Sequence, residues 1–393
     1  MLKYSFIIIL QCWVAAAFAQ QPNTAIDVLH YRLAIDLNDS TNIIKGEATV
    51  TVKFLIDVKA LALDLVQQKN NDTGMLVTHI LQRQNEISYL QDPQHVIINT
   101  QAKVGDTASF TIQYQGIPAD GLIISTNKYG HRTFFGDNWP NRAHNWFPCN
   151  DHLSDKASVE WAVTAPEHYQ VVANGIKTEE TNLLNHRRLT RWEETAELPT
   201  KVMVIGAADF AVQYSGSVSG IPVYSWVYPE DKVEGFATYA MAKNILPFYI
   251  SHVGPYAFKK LANVQSKTIF GGMENASAIF YYENSVTSKS AEALIAHEIA
   301  HQWFGNTATE KNWQHLWLSE GFATYMTHLY HEFKYGLDSF NSRLTEDRKN
   351  IIAFSKKRQT PVVDTTYGTN LMQLLNTNSY QKGGWVLHML RRQ

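Results

Sequence analysis

The segment His297-Glu298-Ile299-Ala300-His301 carries the densest chemistry in the chain. Leu294, Ile295, Ile299, Ala300, Trp303 and Phe304 surround it at helical spacing, which predicts a mostly buried helix over 291–304. Ser288 or Ser290 stands where it can cap the start, and Gly305-Asn306 where the helix can end. Residues four apart on a helix differ by only about 40° around the axis, so His297 and His301 share one face with Cβ atoms about 5–6 Å apart. That spacing suits two imidazoles converging on one Zn²⁺ at about 2.0–2.1 Å. Glu298 follows the first imidazole, where its carboxylate reaches a water beside the metal instead of the metal itself.

Two imidazoles need a third ligand. A second helix is expected to open near Ser319-Glu320-Gly321, with Ser319 as cap, and to run over 321–333. Glu320 lies 18 residues beyond His301, enough chain to turn and bring an antiparallel helix back beside the first. Alone, Glu320 reads as an ordinary helix N-terminal carboxylate. With the histidine pair, a ligand role is the better reading. Two histidines and one carboxylate leave a fourth position open, the mark of a catalytic zinc. Upstream, Gly271-Gly272-Met273-Glu274-Asn275 follows a segment, 264–270, that reads as a strand. Paired glycines beside a strand admit a ligand or another backbone closely. Glu274 could there bind a cation, or the stretch is a bulge with a solvated carboxylate.

The elements that must hold these residues fall into two textures. From 26 to 212 the chain alternates at period two, clearest in 30–37, 48–54, 108–114, 158–163 and 202–207, with turn residues at 71–74, 116–121 and 174–175. This predicts an all-β domain over 20–214, a sandwich or a large open sheet. Over 215–393 strands at 221–227 and 264–270 mix with helical spacing at 233–252, 291–304, 321–333 and 380–390, which predicts an α+β domain.

The 393 residues are 45% apolar, 12% aromatic and 18% charged, with net charge −2, which excludes a disordered chain and gives no electrostatic case for nucleic acid. Residues 1–19 read as a cleaved signal peptide: Lys3, an apolar run, then Ala17-Phe18-Ala19. The mature chain is therefore expected to be exported, periplasmic or extracellular, and to lack a transmembrane helix. Cys12 falls in that leader, which leaves Cys149 as a single thiol and precludes a disulfide within the mature chain. Asn38, Asn71 and Asn275 open Asn-x-Ser/Thr triplets. The chain stops at Gln393, directly after an amphipathic stretch with no stop signal, and so reads as a fragment.

Taken together, the sequence resembles the gluzincin aminopeptidases of the aminopeptidase N family. The family's Gly-x-Met-Glu-Asn loop, His-Glu-x-x-His pair and following glutamate are matched by Gly271–Asn275, His297–His301 and Glu320. Trp146-Phe147-Pro148-Cys149-Asn150-Asp151 and Tyr380-Gln381-Lys382-Gly383 match as well. The resemblance implies a β-sheet domain followed by a thermolysin-like zinc peptidase domain, incomplete at its C-terminus. It implies one zinc per chain on His297, His301 and Glu320, Glu298 as general base, and Tyr380 donating to the oxyanion. From spacing alone Tyr380 is only an aromatic at a helix start. Gly271, Gly272, Met273, Glu274 and Asn275 would bind the substrate, a peptide with a free N-terminus whose amine sits on Glu274. A second amine-binding side chain is expected from the β domain, within 137–144. Gly272 replaces the family's usual alanine, a change expected to be mild. The same metal chemistry serves endopeptidases, which have no use for an amine-binding Glu274.

Overall fold

The computed structural model describes residues 23–70 and 72–393. The expected leader, Cys12 and the Asn71 triplet's first residue lie outside the described residues.

The alternating segments assemble as expected. Among the described residues the largest sheet has eight strands, with Ile26–Asp36 at its centre. That strand pairs antiparallel with Ile44–Phe54 and parallel with Ala157–Pro166. Its inward residues Val28, Tyr31, Leu33 and Ile35 are buried, and the burial alternates along Ile44–Phe54 in the same way. A three-stranded sheet (Val58–Asp64, Tyr89–Gln91, His95–Ala102) and a four-stranded sheet (Leu122–Thr126, Arg132–Gly136, Gln170–Ala173, Ile205–Ala208) complete the β region. Trp146, Phe147 and Trp161 pack at its heart, with the indoles stacked at 5.5 Å. Cys149 is buried beside them, and burial pushes its thiol far up, the state of an inert core residue.

The second region opens with Ala211–Val218, which already belongs to a five-stranded sheet with Ile221–Val227, Leu261–Ser266, Ala278–Tyr282 and Gly272–Met273. Six α-helices accompany it among the described residues: α1 Lys232–Tyr239, α2 Ala242–His252, α3 Ala291–His301, α4 Trp317–Tyr335, α5 Leu337–Ser355 and α6 Gly383–Arg391. None of them is long and apolar enough to cross a membrane.

Several boundaries differ from the sequence reading. The helix expected over 233–252 is two helices, broken at Ala240-Met241, and the second of them accommodates Pro247 in its interior. The strand expected over 264–270 ends at Ser266, where Ser266 Oγ accepts from Thr268 N–H and Asp137 accepts from Ile269 N–H. These side chains replace the sheet ladder. α3 stops three residues early, tightening through Gln302 N–H to Ile299 O (3.1 Å). α4 starts at Trp317, so Ser319 lies inside the helix instead of capping it. Ser290 precedes α3 but makes no cap bond; its hydroxyl pairs with Ser288 Oγ at 3.0 Å. The 380–390 helix begins as a π-turn over Asn378–Lys382 that holds Tyr380. α5 carried no sequence signal, since only Phe340, Leu344 and Asp347 in its nineteen residues are buried.

Candidate metal and active site

α3 and α4 run side by side and bring His297, His301 and Glu320 together. His297 Nε2 lies 3.1 Å from His301 Nε2, and Glu320 Oε2 lies 3.3 Å and 3.2 Å from the two nitrogens. These are the three ligand-type side chains that cluster for a metal among the described residues. A tetrahedron with bonds of about 2.0–2.1 Å has edges of roughly 3.3 Å, so the three donors already form one face of a zinc site. The far nitrogen of His301 is 3.0 Å from Phe304 O and 3.0 Å from Ser319 Oγ. A carbonyl oxygen can only accept, so the Nδ1 that faces it carries the proton and Nε2 turns its lone pair to the cluster. Ser319 was expected to cap a helix; it orients a ligand instead.

The charges fit a cation. Burial works against charge on both imidazoles. At His297 burial prevails and its pKa falls; at His301 the Glu320 carboxylate prevails and raises it to about 10. Burial likewise opposes ionised Glu320, but His301 and His297 hold its carboxyl well below the usual range. A point that stabilises a proton's charge among two nitrogens and a carboxylate suits a divalent ion better still. The donor set and its charge fit zinc.

Glu298 sits beside the triad and does not join it. It is 4% exposed, and burial pushes its carboxyl well above the ordinary value. A Cβ at Gly272 would lie 2.3 Å from Glu298 Oε1. The glycine leaves room for the carboxylate in this arrangement. Tyr380 stacks on His297 at 6.0 Å, and burial holds its phenol far above the ordinary value, so the O–H keeps its proton.

Gly271, Gly272, Met273 and Glu274 line the same cavity as the triad, Glu298 and Tyr380, about 210 Å³ in volume. Glu274 is 5% exposed, and its Oε1 has no hydrogen-bond partner. Asn275 does not line the cavity: its N–H closes a turn on Met273 O at 2.8 Å, and its side chain is fully buried. The glycosylation triplet there is likewise inaccessible.

What holds this loop was not foreseen. Gln302 Nε2 and Asn306 Nδ2 both donate to Glu274 O, at 3.0 and 2.7 Å, and Gln302 Oε1 accepts from Ser277 N–H at 2.9 Å. Ser277 is held at φ +61° by that bond and by Gly175 N–H, which donates to its hydroxyl at 2.7 Å. Gly175 belongs to the β region, as does Lys201, whose ammonium pairs with Glu310 at 3.0 Å, both fully buried. Burial opposes the Lys201 charge, but Glu310 and then Glu274 hold it above the ordinary lysine value. From 137–144 only Trp139 lines the cavity. Asp137 takes Arg142, Thr268 and Ile269; Asn138 takes Thr200, Met203 and Trp146; His144 takes Asp151. No polar side chain of 137–144 lines the cavity in this structure.

The chain is 24% identical over 396 residues to a leucyl aminopeptidase of Saccharolobus solfataricus, covering 93% of this chain and 47% of the relative. It is 28% identical over 267 residues to human aminopeptidase N, covering 62% of this chain and 28% of the relative. The chain thus spans less than half the length of these curated relatives. Its fold matches an M1 zinc metallopeptidase of Deinococcus radiodurans with a TM-score of 0.78 at 22% identity, covering 95% of this chain and 84% of that one. A structure of that peptidase bound to a Tyr-Ser-Ala substrate matches with a TM-score of 0.77 at 23% identity, covering 94% and 84%. The family model of the peptidase M1 N-terminal domain matches residues 28–202, and that of the peptidase family M1 domain matches 236–393. With both halves matched in order and the zinc triad inside the second, the chain belongs to peptidase family M1.

Proposed function

We propose that the chain is an exported zinc aminopeptidase that removes one residue at a time from peptides with a free N-terminus. The observation that carries this reading is Glu274: a buried carboxylate with an unpartnered oxygen, in one cavity with the metal triad and tethered through its own carbonyl. An α-ammonium is the partner such a carboxylate takes in a peptide-sized cleft. Export rests on the leader pattern of residues 1–19.

When bound, zinc supplies Lewis acidity toward the scissile carbonyl and lowers the pKa of a water. Glu274 anchors the α-ammonium and thereby sets the first peptide bond against the triad end of the cavity. Glu298 takes the proton of the attacking water and delivers it to the leaving amine. Tyr380 donates its retained O–H to the carbonyl oxygen as charge develops there. Ser319 and the Phe304 carbonyl keep His301 in the ligating tautomer.

The test compares a leucyl tripeptide with its N-acetyl form. The free amine should be cut from its N-terminus and the blocked peptide should resist. Glu274→Ala should cost the free peptide both affinity and turnover while zinc stays bound, since losing a charge-assisted contact also misplaces the scissile bond. Equal cleavage of blocked and free peptides by the unaltered chain would overturn this reading in favour of an endopeptidase.

A further inference from the structure

A second cavity, about 410 Å³ in volume, lies where the two regions meet and shares no lining residue with the metal site. Both regions build it: Lys177 and Trp192 come from the β region, and Val212, Tyr224, Trp226 and Lys260 from the other. The Trp192 and Trp226 rings stand 6.3 Å apart at an angle of 60°. Both indole N–H groups are buried without an acceptor. Lys260 is 3% exposed; its ammonium donates to Ala173 O at 2.7 Å and lies 4.6 Å over the Trp192 ring. Glu194 acts on it by charge, but no carboxylate forms an ion pair with it among the described residues. Lys177 is already paired with Glu180 at 2.7 Å, so Lys260 is the cation here that lacks a bonded counter-charge. No aspartate or glutamate lines the cavity.

We propose that this cavity binds a small aromatic monocarboxylate, with its ring against Trp192, Trp226 and Tyr224 and its carboxylate on Lys260. The site lies outside the catalytic machinery, and the proposal stands independently of the aminopeptidase reading. Charge selects the anion: a buried ammonium that lacks a counter-ion gains a charge-assisted hydrogen bond from a carboxylate. The walls select the ring, because aromatic faces reward a flat apolar partner with area and with edge or offset contacts. The volume falls at the small end of ligand cavities, room for one ring and a short chain. A free amino acid fits worse, since its α-ammonium would meet two lysines and no carboxylate among the lining side chains. Because the lining comes from both regions, an occupant touches both and holds them together. A ligand that binds only the joined, folded state stabilises it by mass action.

The experiment titrates the zinc-loaded chain calorimetrically with 3-phenylpropionate, with the neutral 3-phenyl-1-propanol and with the cationic phenethylamine. The acid should bind one site per chain, about tenfold or more tighter than the alcohol, and the amine weakest. Lys260→Met should abolish the advantage of acid over alcohol, and the acid should raise the melting temperature of the unaltered chain but not of this variant. Val212 is 42% exposed, so Val212→Glu places a carboxylate at the cavity without disturbing the core. It should weaken the acid severalfold and spare the alcohol. A carboxylate that binds at the metal instead would be insensitive to both substitutions, and acid affinity unchanged in both overturns the proposal. Equal affinity of acid and alcohol for the unaltered chain, a preference for the amine, or no binding of the acid at millimolar concentration overturns it as well. Should Lys260→Met not fold, the ranking of the three probes and the Val212→Glu titration decide the matter.

Discussion

His301 is held at both ring nitrogens: one faces Glu320 and His297, the other faces the Phe304 carbonyl and Ser319. Removing the ring removes a ligand and leaves Glu320 buried against one imidazole. We expect His301→Ala to drop metal content from about one zinc per chain to a small fraction of that, read by elemental analysis; full retention would refute the ligand set. Glu298→Gln is the complementary case. It keeps shape and burial but removes the base, so zinc should stay while turnover falls about 10²–10⁴-fold. Near-normal turnover would take Glu298 out of the chemistry. These residues were legible because their geometry is local: positions four apart on one helix must share a face. Gln302 and Asn306 were not. Their work is to hold the Glu274 carbonyl from 28 and 32 residues away, and no periodicity announces a contact of that length. Trp139, which lines the cavity from the β region, was missed for the same reason.

At the scale of elements, Tyr380 depends on how closely α6 can approach α4. The two helices touch backbone to backbone: a Cβ on Gly321 would come within 2.9 Å of the Gly383 Cα and carbonyl carbon. Alanine is normally the better helix residue by about 1 kcal/mol. Here that gain is opposed by overpacking, typically about 1–3 kcal/mol, against a backbone that cannot rotate out of the way. Gly321→Ala should therefore push the π-turn and its Tyr380 off the site. A shift of about 1 Å in a catalytic group can cost about 10²-fold, so kcat should fall at least tenfold with zinc content unchanged. A fully active Gly321→Ala chain would mean that α6 has room the glycine contact denies. The sequence showed both helices, but it placed their starts wrongly, because a helix start is decided by which side chains are engaged elsewhere. Ser319 is engaged by His301, and Tyr380 is turned inward by the π-turn.

Across the whole molecule, the junction of the two regions contains a lysine with an unusual burden. Lys260 is buried, donates to Ala173 O at 2.7 Å and lies 4.6 Å over the Trp192 ring. Burial pushes its pKa down to about 7 from an ordinary 10.5. Between those values the unfolded chain binds a proton that the folded chain does not, so stability rises with pH through this window and falls as pH drops toward 7. One such group contributes at most about 1.4 kcal/mol per pH unit. Urea midpoints from pH 7 to pH 10 should rise less steeply in Lys260→Met than in the unaltered chain; parallel curves would show that Lys260 stays charged in the fold. The β region was legible as alternating strands, but not its part in the site, since Asp137, Gly175, Lys201 and Trp139 each act across the junction.

That shared construction makes catalysis a gauge of assembly. The zinc ligands and Glu298 all come from α3 and α4, so metal affinity is a property of one half alone. Asp137 on Ile269 and Gly175 on Ser277 tie the loop around Glu274 to the other half. Mild denaturant that loosens the junction should therefore silence hydrolysis while helices, strands and bound metal persist, with a zinc-loaded and inactive species populated before global unfolding. Far-ultraviolet circular dichroism, zinc release and turnover, followed together against urea, would then give midpoints in that order of resilience, with turnover lost first.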